Sequence, residues 1–232
     1  MRLLLPDVRE IADDELPDLY DAGGGTFLRA GLVSSADGVV AVDGSSRPLS
    51  SPGDQAVLRA LRTVADAVVV GAGTARAEDY GPITHRPAAA AWRSAHGRSA
   101  AALLVVVTRT GVLPPQARTG PVLVVAPDTA VLPADVDVLR AGADDVDLAR
   151  AVQLLHARGL ARLHCEGGPA LFTGLLRAQL VDELCLTVAP TVVGAGPHLL
   201  AGGLPAPVGL ELVSLLHAPP GPLLARWRVV RS

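Results

Sequence analysis

The sequence predicts an α/β fold with a mainly parallel central sheet, flanking helices and a C-terminal antiparallel hairpin. From Phe27 onward, apolar runs bounded by turn residues alternate with segments in which apolar residues recur at helical spacing. This alternation is typical of βαβ units and therefore of a parallel sheet. The chain ends differently: two apolar segments, 208–217 and 222–231, flank Ala218–Gly221, and this Pro-Pro-Gly junction favours a tight antiparallel turn.

The individual elements follow from the positions of the apolar runs. Apolar runs bounded by turn residues predict strands over 27–34, 66–71, 102–108, 121–126, 161–166 and 183–190. Apolar residues three or four apart predict helices over 54–64, 147–158 and 169–178, each between two strands. Because a chain of this length can bury one core, residues 27–232 are expected to form a single domain.

Two segments lack a clear period. Residues 1–26 contain Pro6, Pro17 and a glycine triplet but no motif, so we expect an N-terminal extension packed on the domain's surface. Residues 87–101 are rich in Ala and Arg, and we expect a surface loop or a short exposed helix there.

The composition argues against polymeric anionic partners and against a membrane protein. The formal net charge of −3 leaves no excess of basic side chains for nucleic acid or an anionic membrane surface. The first apolar run stops at Pro6, too short for a signal-peptide core, and no later run approaches ~18 residues. We therefore expect a soluble, cytoplasmic protein.

No metal site is predicted. Cys165 and Cys185 lie inside apolar runs, outside any CxxC or His/Cys cluster, and are expected to be buried, reduced thiols. The 6 histidines are scattered, and the sequence has no HExxH, EF-hand, GxSxG or zinc-deaminase signature.

The strongest local signal for a binding site is a strand that ends in two glycines. Gly167–Gly168 follow the apolar strand, and Pro169 stands where the next helix is predicted to begin. Glycines let the backbone approach a ligand closely, and a helix N-terminus offers unpaired N–H groups to a phosphate. The motif predicts a pyrophosphate-binding turn, and the alternative is an ordinary strand-to-helix turn.

A second glycine-rich turn follows another predicted strand. Gly71–Thr74 comes after Ala67–Val70, at the carboxyl end of the strand, where open α/β sheets bind ligands. The turn lacks the third glycine of the GxGxxG fingerprint and the Lys-Ser/Thr of a P-loop. Two such turns predict one nucleotide lying across the crevice between them.

Polar residues follow two further strands. Asp37 lies in the segment Ser34–Gly38, where simple turn hydrogen bonds are the alternative to a functional role. Thr108 and Arg109 bring a hydroxyl and a guanidinium to another strand end, which suits the 2′-phosphate of NADP. Segment 102–113 contains no Asp or Glu, the residues that favour the free ribose of NADH. The predicted cofactor is therefore NADPH.

Three blocks of sequence, in order, resemble the riboflavin-pathway pyrimidine reductase family. They are SSADG near the start, LRTVADAVVVGAGTARAEDYGP in the middle and CEGGPALFTGLLRAQLVDELCLTVAPTVVGAG near the end. The resemblance covers residues 27–232 and implies a dihydrofolate-reductase-like fold. It also implies NADPH-dependent reduction of a phosphorylated pyrimidine of the 5-amino-6-(5-phosphoribosylamino)uracil type. Bifunctional members carry an N-terminal deaminase, for which residues 1–26 are too short, so a stand-alone reductase is expected.

The resemblance and the turns together nominate individual residues. The expected cofactor contacts are Gly73, Thr74, Glu78, Thr108, Arg109, Gly167, Gly168, Pro169, Ala170 and Leu171. The expected substrate contacts are Ser46, Arg62, Ile83 and Arg86. Where the family usually has Asp-Asp-Pro, this chain has Glu78–Asp79–Tyr80.

The predicted reaction is hydride transfer to a carbon–nitrogen double bond of the ring-opened sugar. Glu166 is the first candidate for orienting the substrate or relaying a proton, and Asp37 is the second. Two alternatives remain: a reductase of dihydrofolate or another small heterocycle on the same fold, and a non-catalytic NADPH-binding module. A homodimer is expected, because apolar strands near the C-terminus would leave an exposed sheet edge.

Overall fold

The computed structural model describes residues 1–231 and contains one eleven-stranded sheet. The strands are β1 (Arg2–Leu5), β2 (Arg9–Glu10), β3 (Phe27–Ser35), β4 (Ala67–Gly71), β5 (Leu103–Val107), β6 (Val122–Ala126), β7 (Asp137–Arg140), β8 (Arg162–Cys165), β9 (Glu183–Ala189), β10 (Gly209–His217) and β11 (Leu223–Val230). The helices are α1 (Leu16–Tyr20), α2 (Pro52–Val64), α3 (Ala72–Ala77), α4 (Pro87–Ala95), α5 (Leu148–Ala157) and α6 (Pro169–Arg177). Short 3-10 turns occupy Arg47–Leu49 and Pro115–Arg118.

The strand order is β2-β1-β10-β11-β9-β3-β8-β4-β5-β6-β7. From β9 to β7 all neighbouring strands are parallel, whereas β11, β10, β1 and β2 extend the sheet in antiparallel pairs beyond β9. The predicted fold class and the C-terminal hairpin are confirmed. The parallel order brings the carboxyl ends of β3, β8, β4 and β5 side by side along one edge of the sheet.

Each face of the parallel strands is covered by helices. Alternate residues of β3, β4 and β8 point to opposite faces, so that Leu28 and Val69 pack with α5 and α6 while Val68 belongs to the cluster that includes α3. Helices α1 and α2 form a further cluster with Leu3 and Leu216. Burial on both faces explains why β4, β5 and β6 have continuous apolar sequences and not alternating ones.

Residues 1–26 are more than the surface extension that was expected. Strands β1 and β2 add two antiparallel strands to the sheet next to β10. Leu16 and Tyr20 of α1 are 0% and 1% exposed and pack against α2. The segment lacks a detectable period because its elements are only two to five residues long.

The segment 87–101 contains helix α4, the second of the two expected alternatives, but one of its arginines is buried. Arg93 donates hydrogen bonds to the carbonyl oxygens of Thr63 and Ala65, at the C-terminal end of α2, and to that of Ser99. It thereby satisfies helix-end carbonyls that would otherwise lack partners.

None of the helices in residues 1–231 is long and apolar enough to cross a membrane. Cys165 and Cys185 are buried and unpaired, as expected, and burial raises the pKa of both thiols to about 12.

Candidate active site

A cavity of about 320 Å³ opens at the edge where the carboxyl ends of the parallel strands meet. Its walls come from β3, α2, α3, β9 and the turn before α6. Seven of the predicted site residues line it: Ser46, Gly73, Thr74, Glu78, Glu166, Gly168 and Pro169. The two glycine-rich turns predicted from the sequence therefore face one common space.

The Gly167–Gly168 turn has the features of a phosphate-binding turn. Gly167 has a φ of 91°, a conformation that residues with a Cβ rarely adopt, and its carbonyl accepts a hydrogen bond from Gly71 N at 2.8 Å. The peptide between the two glycines is cis. A Cβ at Gly168 would lie only 2.4 Å from Thr74 Oγ1, so the two turns are in close contact.

Helix α6 begins at Pro169, as the sequence predicts, and no side chain caps its first turn. The first N–H groups of a helix have no partner within the helix, and they carry the positive end of its dipole. Since Gly168 and Pro169 line the cavity, these groups are close to it. A pyrophosphate fits this combination of free donors and missing side chains, which is the feature that a dinucleotide cofactor requires.

Glu78 lines the cavity, but its carboxylate is engaged with the segment after β3. It accepts hydrogen bonds from Ser46 N at 2.5 Å and from Ser45 Oγ at 3.1 Å, and Arg47 Nε lies 3.7 Å away. The carboxylate thus fastens the loop that carries Ser46 to the end of α3. Thr74, one turn earlier in α3, lies next to Gly168 and also lines the cavity.

Glu166 is the centre of a buried polar cluster. Arg62 donates from Nε to Glu166 Oε1 at 2.7 Å and from Nη2 to Oε2 at 2.6 Å, a two-pronged ion pair between α2 and the end of β8. Tyr80 donates its hydroxyl to Oε2 at 2.5 Å. His164 Nε2 lies 3.4 Å from Oε1. The carboxylate is 2% exposed and lines the cavity, whereas the Arg62 side chain is 28% exposed and is not among the residues of the cavity wall.

The electrostatics of this cluster follow from burial and from Arg62. Burial by itself would raise the pKa of Glu166, but the charge and hydrogen bonds of Arg62 outweigh it and hold the pKa below its usual range. Burial and the neighbouring carboxylate raise the pKa of Tyr80 well above its ordinary value. Burial lowers the pKa of His164 to about 4. At neutral pH Glu166 is therefore ionised, Tyr80 keeps its proton and His164 is neutral.

Asp37 does not line this cavity. Its exposed carboxylate accepts hydrogen bonds from Ser35 Oγ and from the backbone N–H groups of Gly194 and Val193. These bonds, the Ser35 bond first, lower the pKa of Asp37 to about 2. The geometry is that of a turn that ties the loop after β9 to the end of β3.

Several other predicted contacts lie away from the cavity walls. Ile83 is buried with Val68 and Val70, and Arg86 is exposed at the start of α4. Thr108 is buried and accepts a hydrogen bond from Gly111 N at 3.1 Å, while Arg109 beside it is exposed at the end of β5. In α6, Ala170 is exposed and Leu171 packs into the main core, so only their backbone N–H groups are suited to a phosphate.

Sequence reasoning missed several polar residues that the fold brings to the cavity, among them Tyr80, Asp54 and Thr187. A signal for Asp54 exists in the sequence, because Ser51-Pro52-Gly53-Asp54 is a helix start with an acid in the first turn. Ser51 does accept a hydrogen bond from Asp54 N, as an N-cap should. That pattern predicts only the start of a helix, and the structure is needed to show that Asp54 lines a cavity.

Comparisons with known proteins agree with the fold. A 2,5-diamino-6-ribosylamino-4(3H)-pyrimidinone 5′-phosphate reductase from Methanothermobacter thermautotrophicus is 31% identical over 168 residues, 68% of this chain and 74% of that protein. The crystal structure of a pyrimidine reductase-like protein from Corynebacterium diphtheriae is 27% identical and matches 96% of this chain and 100% of its own with a TM-score of 0.84.

A more distant structure shares the fold alone. Dihydrofolate reductase from Enterococcus faecalis matches 88% of this chain and 97% of its own at 15% identity, with a TM-score of 0.52. The expected dihydrofolate-reductase-like architecture is thereby confirmed. The model of the family described as the RibD C-terminal domain matches residues 9–224, and the chain therefore belongs to the RibD C-terminal domain family.

Proposed function

We propose that this protein is an NADPH-dependent reductase of a phosphorylated aminopyrimidine intermediate of riboflavin biosynthesis. The observation that carries the proposal is that Gly168, at the start of α6, and Glu166, whose carboxylate is held by Arg62, line one cavity. The reductase name of the archaeal relative supports the same activity. Oxidoreductase chemistry fits this cavity, because a bound cofactor would supply the hydride and the protein would need only to bind and orient the two molecules.

The cofactor side of the cavity comprises Gly73, Thr74, Gly168 and the start of α6. In the proposal, the N–H groups of Ala170 and Leu171 bind the pyrophosphate, and Thr74 bounds the space that it fills. When bound, NADPH would supply the hydride for the carbon–nitrogen double bond. Arg109 and Thr108, at the end of the neighbouring strand β5, are the proposed neighbours of the 2′-phosphate.

The substrate side is organised by Glu166. Arg62 commits Nε and Nη2 to this carboxylate, which leaves Nη1 to bind a substrate phosphate or hydroxyl. Glu166 remains ionised at neutral pH, because Arg62 holds its pKa low. Its role in the proposed reaction is therefore to position Arg62 and Tyr80, and not to donate the proton that the nitrogen must receive. Arg86 is exposed at the start of α4 and is the second proposed phosphate contact.

The activity can be tested with both nicotinamide cofactors. Purified protein is mixed with the 2,5-diaminopyrimidinone 5′-phosphate and NADPH or NADH, and the loss of absorbance at about 340 nm is followed. We expect turnover with a preference for NADPH. Binding of NADPH without any substrate-dependent oxidation would instead identify a non-catalytic module, and a preference for NADH would contradict the cofactor assignment.

Arg109→Ala tests the basis of that preference. Removing a partly exposed, charge-assisted contact should weaken NADPH binding by about 1–2 kcal/mol, close to tenfold, and leave NADH binding unchanged. Arg150→Ala removes an exposed arginine from α5 and serves as the matched control. Equal losses for both cofactors would mean that Arg109 supports the fold or the shared part of the dinucleotide.

A second candidate, reduction of dihydrofolate or another pterin, is favoured by one observation. Asp54 puts a buried carboxyl into the substrate side of the cavity, and a pterin carries neighbouring N–H groups that such a carboxyl can bind. Steady-state assays with dihydrofolate beside the phosphorylated pyrimidine distinguish the two reductases.

A further inference from the structure

Asp54 is a buried acid that the proposed reaction does not use. Its side chain lies in the first turn of α2, is 9% exposed as a residue and lines the cavity together with Ser50 and Thr187. The apolar residues Val57 and Leu61, further along the same helix, continue the wall. A carboxyl group therefore stands at the end of a largely apolar pocket wall.

The other buried acids of this region are neutralised by arginine, but Asp54 is not. Glu166 is paired with Arg62, and Glu183 is paired with Arg29 and Arg226. Among the residues that the structure describes, Asp54 has no ion-pair partner, and its Oδ2 accepts a hydrogen bond from Ser50 Oγ at 2.5 Å. Burying a carboxylate without a cation or several donors is costly.

The protonation behaviour of Asp54 reflects this lack of partners. Burial raises its pKa above the ordinary value, and the hydroxyls of Ser50 and Thr187 offset the shift only in part. A ligand that brings N–H donors into the cavity would supply the missing partners. Two carboxylate oxygens carry about four acceptor positions, so Ser50 and Thr187 leave room for two parallel bonds from a ligand.

We infer that Asp54 is a specificity-determining residue that recognises a 2-amino-4-oxopyrimidine ring through its N3–H and its 2-amino group. These two neighbouring donors match the two oxygens of a carboxylate, in the manner of a guanidinium. A uracil ring offers N3–H next to a C2 carbonyl oxygen, which would face the carboxylate as a second acceptor. Asp54 therefore selects the 2,5-diaminopyrimidinone over the uracil-type compound that the sequence resemblance implied.

The inference rests on the proposed function for the presence of a pyrimidine in the cavity, and it concerns which pyrimidine is accepted. The two candidate phosphates differ at C2 and share the sugar and the 5′-phosphate. Contacts of Arg62 and Arg86 with the phosphate are therefore common to both compounds. A difference in affinity between them reports on the residue that faces C2, since the rest of the molecule is constant.

Asp54→Asn tests the inference by exchanging one acceptor for a donor at almost constant volume. For the wild type we expect at least a tenfold higher kcat/KM, and tighter binding, for the 2-amino compound than for the uracil compound. The asparagine amide can accept from N3–H and donate to a C2 carbonyl. The variant should lose at least tenfold for the 2-amino compound, and the uracil compound should bind as well as or better than before.

Asp128→Asn, an exposed acid away from the cavity, is the control and should leave both substrates unaffected. Binding is measured by calorimetry as well as turnover, so that the two proposals can fail separately. Preferential binding of the 2-amino compound without reduction would overturn the proposed function and support the role of Asp54. An Asp54→Asn variant with an unchanged ratio between the two compounds, or a wild type that does not discriminate, would overturn the role of Asp54.

Dihydrofolate is the third arm of the experiment, because a pterin has the same 2-amino-4-oxo edge. One outcome is that dihydrofolate is reduced in preference to both phosphates and that this activity falls at least tenfold in Asp54→Asn. Asp54 then binds the N3–H and 2-amino group as inferred, and the substrate is a pterin. If dihydrofolate activity is unaffected by the substitution, recognition through Asp54 is wrong. Because burial disfavours the charge of Asp54, the neutral variant should fold at least as stably as the wild type, which thermal unfolding verifies.

Discussion

Lowering the pH from about 7.5 to about 5.0 should destabilise the protein by about 2 kcal/mol through His164 alone. Burial lowers the pKa of this histidine from 6.5 to about 4 in the folded chain. As the pH falls below 6.5, the unfolded chain binds a proton at His164 and the folded chain does not, so unfolding becomes more favourable. The contribution is fully present above the unfolded pKa and is lost as the pH falls toward 4.

The magnitude follows from the difference between the two pKa values. At about 1.36 kcal/mol per pKa unit, the whole shift corresponds to about 3 kcal/mol, and roughly two thirds of it is expressed by pH 5. The ring is 2% exposed and is enclosed by Gly31, Leu61 and Glu166, so screening by solvent is weak. Gly31 is part of the reason for the close packing, because a Cβ there would lie 2.5 Å from the ring.

Urea unfolding at both pH values, for the wild type and for His164→Gln, isolates this residue. His85 and His156, whose pKa values burial also lowers, titrate in both proteins and cancel in the comparison. The variant should show about 2 kcal/mol less loss of stability on acidification, whereas His96→Gln, an exposed histidine, should behave as the wild type. Equal losses for the wild type and His164→Gln, or an NMR titration of His164 near 6.5 in the folded protein, would refute the reasoning.

Three further outcomes follow from the same structure. Glu166→Gln should lower kcat/KM at least tenfold, mainly through KM, because Arg62 loses its anchor; a loss confined to kcat in steady-state assays would point to proton transfer instead. Gly168→Val should weaken NADPH binding at least tenfold, about 1.4 kcal/mol, because its Cβ would crowd Thr74 and the pyrophosphate; unchanged affinity in a cofactor titration of the folded variant would contradict this position for the cofactor. Arg93→Met should cost about 3 kcal/mol in chemical denaturation, because several buried carbonyls lose their donor, and a cost below about 1 kcal/mol would disprove that role.

Local sequence pattern was sufficient for the central strands of the sheet and for three of the helices that pack on it. Strands β3, β4, β5, β6, β8 and β9 and helices α2, α5 and α6 lie within about two residues of their predicted bounds, because apolar spacing directly reflects burial. Strand β7 has one buried residue, Leu139, and was missed for that reason. Helix α3 begins inside the Gly71–Thr74 turn, where glycine conceals the helical period.

The glycine turns and the start of α6 were determined by the sequence itself, because backbone conformation at glycine and proline is a local property. What the side chains do was decided by the tertiary structure. Glu166 pairs with Arg62 across 104 positions of the chain only because β8 lies between β3 and β4, beneath α2. In the same way, Asp54 meets Thr187 through the packing of α2 on β9, and an acid in the first turn of a helix becomes part of a cavity wall. Residues distant in the chain become neighbours through the order of the strands, which no local pattern records.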